Sequence, residues 1–192
     1  MPSVLLSGLK LLNVLLLALY PFLVWFGLAG NHHLALGFFL VLVFLLRFSL
    51  LKGLSPELKM LASIGALLGL LLVLASLVLK QQALLLYYPL VINAVFFAAF
   101  SLSLLTSQSL VERLARIKEP DLPAEGVTYT RRVTLAWCVF FIFNGGLALA
   151  TILLKNLQLW AFYNGFVSYL LIALMMGVEW IIRKRIRNKS MA

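Results

Sequence analysis

Charged residues, and acidic ones above all, are scarce in this 192-residue chain. Only 11% of the residues are charged, with 6 Asp and Glu against 16 Lys and Arg, while 64% are hydrophobic. Soluble chains carry about 25% charged and about 45–50% apolar residues, so an ordinary water-soluble domain and a disordered tail are excluded. The single cysteine, Cys138, excludes an intrachain disulfide and with it a disulfide scaffold. The composition therefore predicts a polytopic membrane protein.

Long apolar runs are what the chain has instead. A membrane helix requires about 20 mostly apolar residues, and six runs meet this requirement. We therefore predict an all-α membrane protein, a six-helix transmembrane bundle in which residues 1–192 form one integral membrane domain. The first run is too long for the apolar region of a secretory signal, about 7–15 residues, and is expected to remain as a helix. The predicted spans are 11–29, 34–51, 60–79, 83–107, 133–154 and 159–182.

Positive charge is unevenly divided between the two sides of this bundle. Of the 16 Lys and Arg residues, only Lys80 and Lys155 fall on the side opposite the termini. Short loops rich in Lys and Arg stay in the cytoplasm, so we predict that both termini are cytoplasmic. This basic collar also predicts contact with anionic membrane lipids. Nucleic-acid binding is the disfavoured alternative, because no aromatic residues are interleaved in the basic runs.

The connection 108–132 is the one long cytoplasmic loop. Ser109 and Glu112 form a capping-box pattern, which predicts a short amphipathic helix at the membrane surface over about 109–118. Pro120 should end it, and Pro123 with Gly126 should keep the rest extended. Two interpretations remain open, a tether between spans and a surface that docks a partner protein or a lipid head group. The apolar face of this helix holds Leu110, Val111, Leu114 and Ile117, and its candidate interaction surface holds Arg113, Arg116 and Lys118.

Small residues at helical spacing predict where helices approach one another. Gly65 and Gly69 form a GxxxG pair, which permits close packing against another helix in lipid. The partner is either in this chain or in a second copy, as in a homo-oligomer. Gly145 and Gly146 predict a second close approach beside Asn144.

Two Tyr-Pro pairs interrupt predicted spans. Pro21 and Pro89 each lack a backbone N–H, so both should kink their helices. The strings that follow them are similar, which raises the hypothesis of an inverted repeat between spans one to three and four to six, as in some transporters.

Polar residues within spans are the first candidates for function, because lipid offers them no partner. Asn93 and Asn144 both lie near the midplane at a rise of ~1.5 Å per residue, and we predict that they hydrogen-bond to each other. This contact either stabilises the packing of two adjacent helices or forms part of a substrate site. Glu179 precedes Arg183 by four residues, which predicts an ion pair near the membrane surface rather than a proton relay.

No catalytic or cofactor pattern is recognisable. His32 and His33 are adjacent and would diverge on a helix, so they are not expected to chelate one metal ion. Paired carboxylates, nucleophile motifs and glycine-rich phosphate loops are missing from the sequence. We therefore predict a protein that is not an enzyme and that carries no cofactor or metal.

Several segments resemble the bacterial intracellular septation protein A family. They are the string LVERL at 110–114, the break between Pro120 and Pro123, the string TLAWCVFF at 134–141 with the following Asn144, and the string YPFLVWF at 20–26. The segment 82–88 departs from that family, so the chain resembles a divergent member. The resemblance implies a small multi-pass protein of the bacterial inner membrane, linked to cell-envelope integrity and division, with no established reaction. Envelope or division proteins are the partners it implies.

Three functional hypotheses follow. The first is an envelope-maintenance protein that works through partners or lipids. The second is a small transporter or lipid flippase with a polar site at the midplane, which a lipid-sized cavity reaching Asn93 and Asn144 would favour. The third, an intramembrane enzyme of lipid metabolism, lacks any catalytic group.

Overall fold

The computed structural model describes residues 2–190, and the side chains of residues 7–185. Arg187 and Lys189 of the predicted basic collar have side chains outside the described residues. Within them the chain is all-helical, with 84% helix and no strand. The elements are α1 (Pro2–Ala18), α2 (Tyr20–Ala29), α3 (His33–Ser49), α4 (Pro56–Val78), a 3₁₀ segment (Gln82–Tyr87), α5 (Tyr88–Ser103), α6 (Leu110–Arg116), α7 (Ala124–Leu153), α8 (Leu157–Phe162), a π segment (Tyr163–Val167) and α9 (Ser168–Ser190).

Apolar helices indicate a membrane protein. Four of them are long and apolar enough to span a bilayer: α4, the segment Gln82–Ser103, α7, and the segment Leu157–Arg185. Ser7–Ala18 and Tyr20–Ala29 form a bent apolar pair that adds a fifth span if the pair crosses as one, and α3 is apolar but has only 17 residues. The described residues thus contain four or up to five spanning helices by length and composition, and the predicted six are not confirmed.

The bend between α1 and α2 has its cause at Pro21. Pro21 has no N–H and so cannot donate to the carbonyl of Leu17. The Phe22 N–H donates to Leu19 O at 3.0 Å instead of to Ala18 O. The carbonyl of Ala18 is therefore left without its helical donor. The two helices are bent by 58°, so the predicted kink in the first span is confirmed.

The fourth predicted span, 83–107, differs from the helix that forms. Its first part is the 3₁₀ segment, and α5 begins only at Tyr88, with Pro89 in its first turn. Proline suits that position, because its missing N–H would have no intrahelical acceptor there. The helix ends at Ser103, whose hydroxyl accepts a hydrogen bond from the Leu110 N–H at 2.9 Å.

Three short connections turn on residues with a left-handed backbone. Asn31, Lys80 and Lys155 have φ of 58°, 53° and 52°. After α4 the Gln81 N–H reaches back to Ser76 O at 3.1 Å, the long bond of a Schellman cap. These caps satisfy carbonyls at helix ends and let successive helices reverse direction within a few residues.

The GxxxG pair packs within this chain. A Cβ at Gly65 would lie 3.0 Å from Ile92 Cδ1, and a Cβ at Gly69 would collide with the ring of Phe44 and lie 2.8 Å from Tyr88 Cε2. The face therefore receives side chains from α3 and α5. A Cβ at Gly145 would likewise lie 3.1 Å from Asn93 Cβ.

Gly146 does not take part in the predicted close approach. A Cβ there would meet nothing within 4 Å, and the residue is exposed. Consecutive helical positions are rotated by about 100°, so Gly145 and Gly146 cannot both face α5. The prediction for Gly146 was wrong for this reason.

The long loop is shorter than predicted, because α7 begins at Ala124. Pro123 is its N-cap residue and Glu125 lies in its first turn, where the helix dipole favours a negative charge. Proline restricts the residue before it and leaves the residues after it free to form a helix. The prediction of an extended chain through Gly126 was therefore wrong.

Candidate functional site

Asn93 and Asn144 lie together inside the helix bundle. Asn144 Nδ2 donates to Asn93 Oδ1 and to Ser168 Oγ, each at 3.0 Å, and Tyr163 OH donates to Asn144 Oδ1 at 2.8 Å. Asn144 is only 2% exposed. We call these four residues the asparagine cluster. It connects α5, α7, the π segment and α9 by side-chain hydrogen bonds.

The π segment explains why Tyr163 and Ser168 reach the same partner. Residues five apart in an α-helix are rotated by about 140° from one another. A π turn, closed by bonds between residues five apart, brings them onto one face. Here the Ser168 N–H bonds to Tyr163 O across the π segment, and both side chains meet Asn144.

Asn93 is held from its own helix as well. Its Nδ2 donates to Pro89 O, one turn earlier, at 2.8 Å. Because Gly145 has no side chain, the backbone of α7 comes close to Asn93 Cβ. The proline and the glycine therefore position the amide toward Asn144.

A cavity of about 360 Å³ lies beside the asparagine cluster. Ligand sites commonly measure about 300–1,000 Å³, with apolar walls and a few polar groups. This cavity has aromatic and aliphatic walls and a polar side formed by Asn93, Asn144, Asn164 and Ser168. The remaining lining residues are Leu17, Tyr20, Pro21, Tyr88, Pro89, Ile92, Phe96, Phe100, Trp137, Phe141, Tyr169, Ile172 and Met176.

Helix α9 forms one wall of the cavity and is tied to its neighbours at a few points. Tyr169 OH donates to Ala18 O at 3.0 Å, the carbonyl left without a helical donor by the α1–α2 bend. Tyr129 OH donates to the backbone O of Glu179 at 3.1 Å. Tyr169 and Met176 are exposed where this wall meets the outer surface. The cavity therefore adjoins the exposed side of α9.

Glu179 lies apart from the cavity lining. Its carboxylate is 3.5 Å from Arg183 Nε, and Tyr129 OH is 3.3 Å from the same oxygen. The structure thus places the predicted pair, Glu179 and Arg183, in contact on α9. The hydrogen bonds of Tyr129 join the C-terminal half of α9 to the first turns of α7.

The predicted interaction surface on α6 is largely engaged within the loop. Arg116 forms an ion pair with Glu112 at 2.9 Å and donates to Pro120 O at 2.8 Å. Arg113 donates to Gln108 O at 3.2 Å. Lys118, beyond the end of the helix, is exposed. Two of the three candidate residues therefore stabilise the loop itself.

α6 packs into the bundle through its first turn. Leu110 is buried against Phe100, Cys138 and Phe141, whereas Ile117 at the far end is 61% exposed. Ser109 Oγ accepts from the Glu112 N–H at 3.4 Å, so the serine half of the capping box is present. The Glu112 carboxylate bonds to Arg116 instead of completing the box.

Sequence reasoning missed several of the polar residues. Tyr163, Asn164 and Ser168 were available as polar residues within an apolar span, and Asn164 and Ser168 are one helical turn apart. Asn13 was also overlooked. It is fully buried, and its Nδ2 donates to Val43 O at 3.0 Å.

The histidines remain at a helix end. His33 Nε2 lies 2.8 Å from Asn31 Oδ1, and His32 is exposed. The part of the chain that the structure describes has no group of three or more His, Cys, Asp or Glu residues that could hold a metal ion.

No family model, curated protein or solved structure matches this chain. The resemblance to the septation protein A family stays a prediction that depends on the segments quoted above.

Proposed function

We propose that this chain is a multi-pass protein of the bacterial inner membrane that takes an amphipathic molecule from the bilayer into the cavity beside the asparagine cluster. We propose that it acts as a lipid transporter or flippase, contributes in this way to the maintenance of the cell envelope, and does not catalyse a reaction. The observation that carries the proposal is the cavity of about 360 Å³ whose wall includes both Asn93 and Asn144. Such a cavity is the feature that distinguishes this hypothesis from a closed structural bundle.

The chemistry of the cavity supports an amphipathic occupant. Polar groups within a membrane are costly unless they are paired, and they commonly lie where a substrate passes. Here the polar groups occupy one side of the cavity, while rings such as Phe96, Phe100 and Phe141 form the rest. A molecule with an apolar body and one polar end matches both parts.

Docking of a protein through the predicted surface of α6 has less support. Arg113 and Arg116 make their hydrogen bonds within the loop and would have to break them to bind a partner. Homo-oligomer formation through Gly65 and Gly69 also has less support, because α3 and α5 of the same chain cover these glycines.

We further propose six crossings, with both termini in the cytoplasm. α3 spans about 25 Å at ~1.5 Å per residue, and Arg47 in its last turn can extend toward the interface. The bent pair α1–α2 would count as one crossing. Six crossings leave only Lys80 and Lys155 on the outer side and place the other Lys and Arg residues on the side of the termini, which agrees with the positive-inside rule.

Cysteine labelling tests this topology. Single cysteines are introduced one at a time in a Cys138→Ala background. Two of them replace Asn31 and Lys52, which flank α3. Two others replace Lys155 and Lys118 and serve as the outer and the inner reference position. We expect a membrane-impermeant maleimide to label positions 31 and 155 in intact cells and positions 52 and 118 only after lysis. Labelling of position 52 from outside, or protection of position 31, would contradict the six-crossing arrangement.

Photocrosslinking in the native membrane tests the proposed function. A diazirine amino acid is placed at Ile172, which lines the cavity, and at Leu174, which lies on the same helix and is 56% exposed. We expect the Ile172 probe to capture a defined amphipathic species, identified by mass spectrometry, and the Leu174 probe to capture bulk phospholipid. Identical lipid profiles at both positions would show that the cavity is not a selective site and would overturn the proposal.

A further inference from the structure

We infer that the cavity recognises an uncharged lipid whose polar end offers ester carbonyls and a hydroxyl group, as diacylglycerol does. This inference rests on the proposed function and specifies the class of its substrate. Two features of the cavity support it. The lining residues carry no charge, and the polar side has hydrogen-bond donors and an acceptor that are not used within the protein.

The lining has no charged member among the described residues. All 17 residues are aliphatic, aromatic, hydroxyl-bearing or amide-bearing. Arg47 and Glu179 lie outside the lining, and Glu179 is already engaged by Arg183 and Tyr129. An ionised head group placed in this cavity would be a desolvated charge with no counter-ion among the lining residues, which is unfavourable. The cavity therefore discriminates against phosphate-bearing lipids.

The polar side of the cavity retains hydrogen-bond donors. Asn144 uses both amide hydrogens, on Asn93 and Ser168. Asn93 uses one of its two, on Pro89 O. The Ser168 oxygen accepts from Asn144, and its own hydrogen has no acceptor within the described residues. One amide hydrogen of Asn93 and the hydroxyl of Ser168 are thus free to donate to ligand carbonyls.

The same side offers an acceptor as well. Asn164 Nδ2 donates to Trp160 O at 2.9 Å, and its carbonyl oxygen has no donor within the described residues. A ligand hydroxyl can supply that donor. Two donors and one acceptor match a molecule that has ester carbonyls and one free hydroxyl.

The cavity is too small to enclose a whole lipid, so the acyl chains of a bound lipid must extend out of it. Its wall on α9 includes Tyr169 and Met176, and Met176 is 59% exposed on the outer surface. A glycerol end bound at the asparagine cluster can therefore leave its acyl chains along the aromatic wall and out into the surrounding lipid. Lateral entry of this kind avoids passage of the acyl chains through water.

Trp137 provides a local reporter, because it lines the cavity and its ring centroid lies 5.6 Å from that of Phe141. The full-length protein in phosphatidylcholine nanodiscs is titrated with dibrominated diacylglycerol or with dibrominated phosphatidic acid of the same acyl chains. The two quenchers differ only by the phosphate group. The Trp137→Phe variant supplies the background from the other tryptophans.

We expect saturable quenching of the Trp137 signal at a mole fraction of diacylglycerol at least tenfold lower than that of phosphatidic acid. Ser168→Ala should weaken the diacylglycerol response about fivefold, the effect of one net hydrogen bond. Ser101→Ala is the matched control, since Ser101 bonds to Ala98 O within α5 and does not line the cavity.

The outcomes separate this inference from the proposed function. Equal or stronger quenching by phosphatidic acid would overturn the uncharged class while leaving the amphipathic site in place. Equal responses of Ser168→Ala and Ser101→Ala would overturn the assigned recognition of the ester carbonyl. Quenching by neither lipid above the Trp137→Phe background would overturn both the inference and the proposed lipid site.

Discussion

Replacing Asn144 with leucine is expected to lower the free energy of unfolding by about 2–4 kcal/mol and to abolish capture from the Ile172 probe. The variant loses three side-chain hydrogen bonds, to Asn93, Ser168 and Tyr163. Interhelical hydrogen bonds in membranes are worth about 0.6 kcal/mol each and at most about 1.7. The polar atoms of Asn93, Ser168 and Tyr163 would also remain buried without their partner, which adds a desolvation cost. Together the two terms give the expected loss of about 2–4 kcal/mol in the free energy of unfolding.

The measurement is unfolding of the purified protein in mixed micelles of increasing denaturing-detergent content. Phe143→Leu is the matched control, because Phe143 is the preceding residue on α7 and faces outward. That variant should unfold with the parent and should capture the same species from Ile172. Stability of Asn144→Leu within about 0.5 kcal/mol of the parent would mean that the asparagine cluster is not formed.

The contact between Asn93 and Asn144 was predictable from depth alone. The rise of an α-helix places both residues near the midplane, and two amides at one depth in lipid have each other as the available partners. Tyr163 and Ser168 were not predictable in the same way. Their common orientation depends on the π segment, and residues five apart would diverge in the α-helix that hydrophobic periodicity indicates.

The errors in the predicted elements also have local causes. Pro89 was predicted to kink the fourth span, but it lies in the first turn of α5, after the 3₁₀ segment that forms the first part of that span. Pro123 with Gly126 predicts an extended chain, but a proline at a helix start disfavours helix only for the residue before it, and α7 begins at the next residue. In both cases the position of proline relative to the helix start decided the result, and the apolar pattern does not record it.

The cavity itself has no signature in the sequence. Its lining comes from α1, α2, α5, α7 and α9, together with the π segment, and its existence depends on how far α9 lies from the other helices. The sequence does indicate some residues that line it, because Pro21, Pro89, Asn93 and Asn144 are prolines and amides within predicted apolar spans. Kinked helices and midplane amides therefore indicated the region of the site but not its shape.

A single methyl group should be damaging at Gly69 and harmless at Gly146. Gly69→Ala is expected to lower the free energy of unfolding by about 1–3 kcal/mol, the usual cost of overpacking a core. The added Cβ would collide with the Phe44 ring, which is fully buried and lies 5.2 Å from Tyr88 and 6.4 Å from Tyr20 between ring centroids. These two rings prevent Phe44 from moving aside.

Gly146→Ala makes the same chemical change on α7, where a Cβ has open space. It should leave stability unchanged or raise it slightly, because alanine is the better helix former. Detergent-induced unfolding of the two variants, measured side by side, tests the pair. Equal stability of both would show that α3 and α5 do not cover Gly69, and the small-residue face would then be available to a second copy of the chain. A loss at Gly146→Ala alone would mean that α7 presents its other face to α5, which would also separate Asn144 from Asn93.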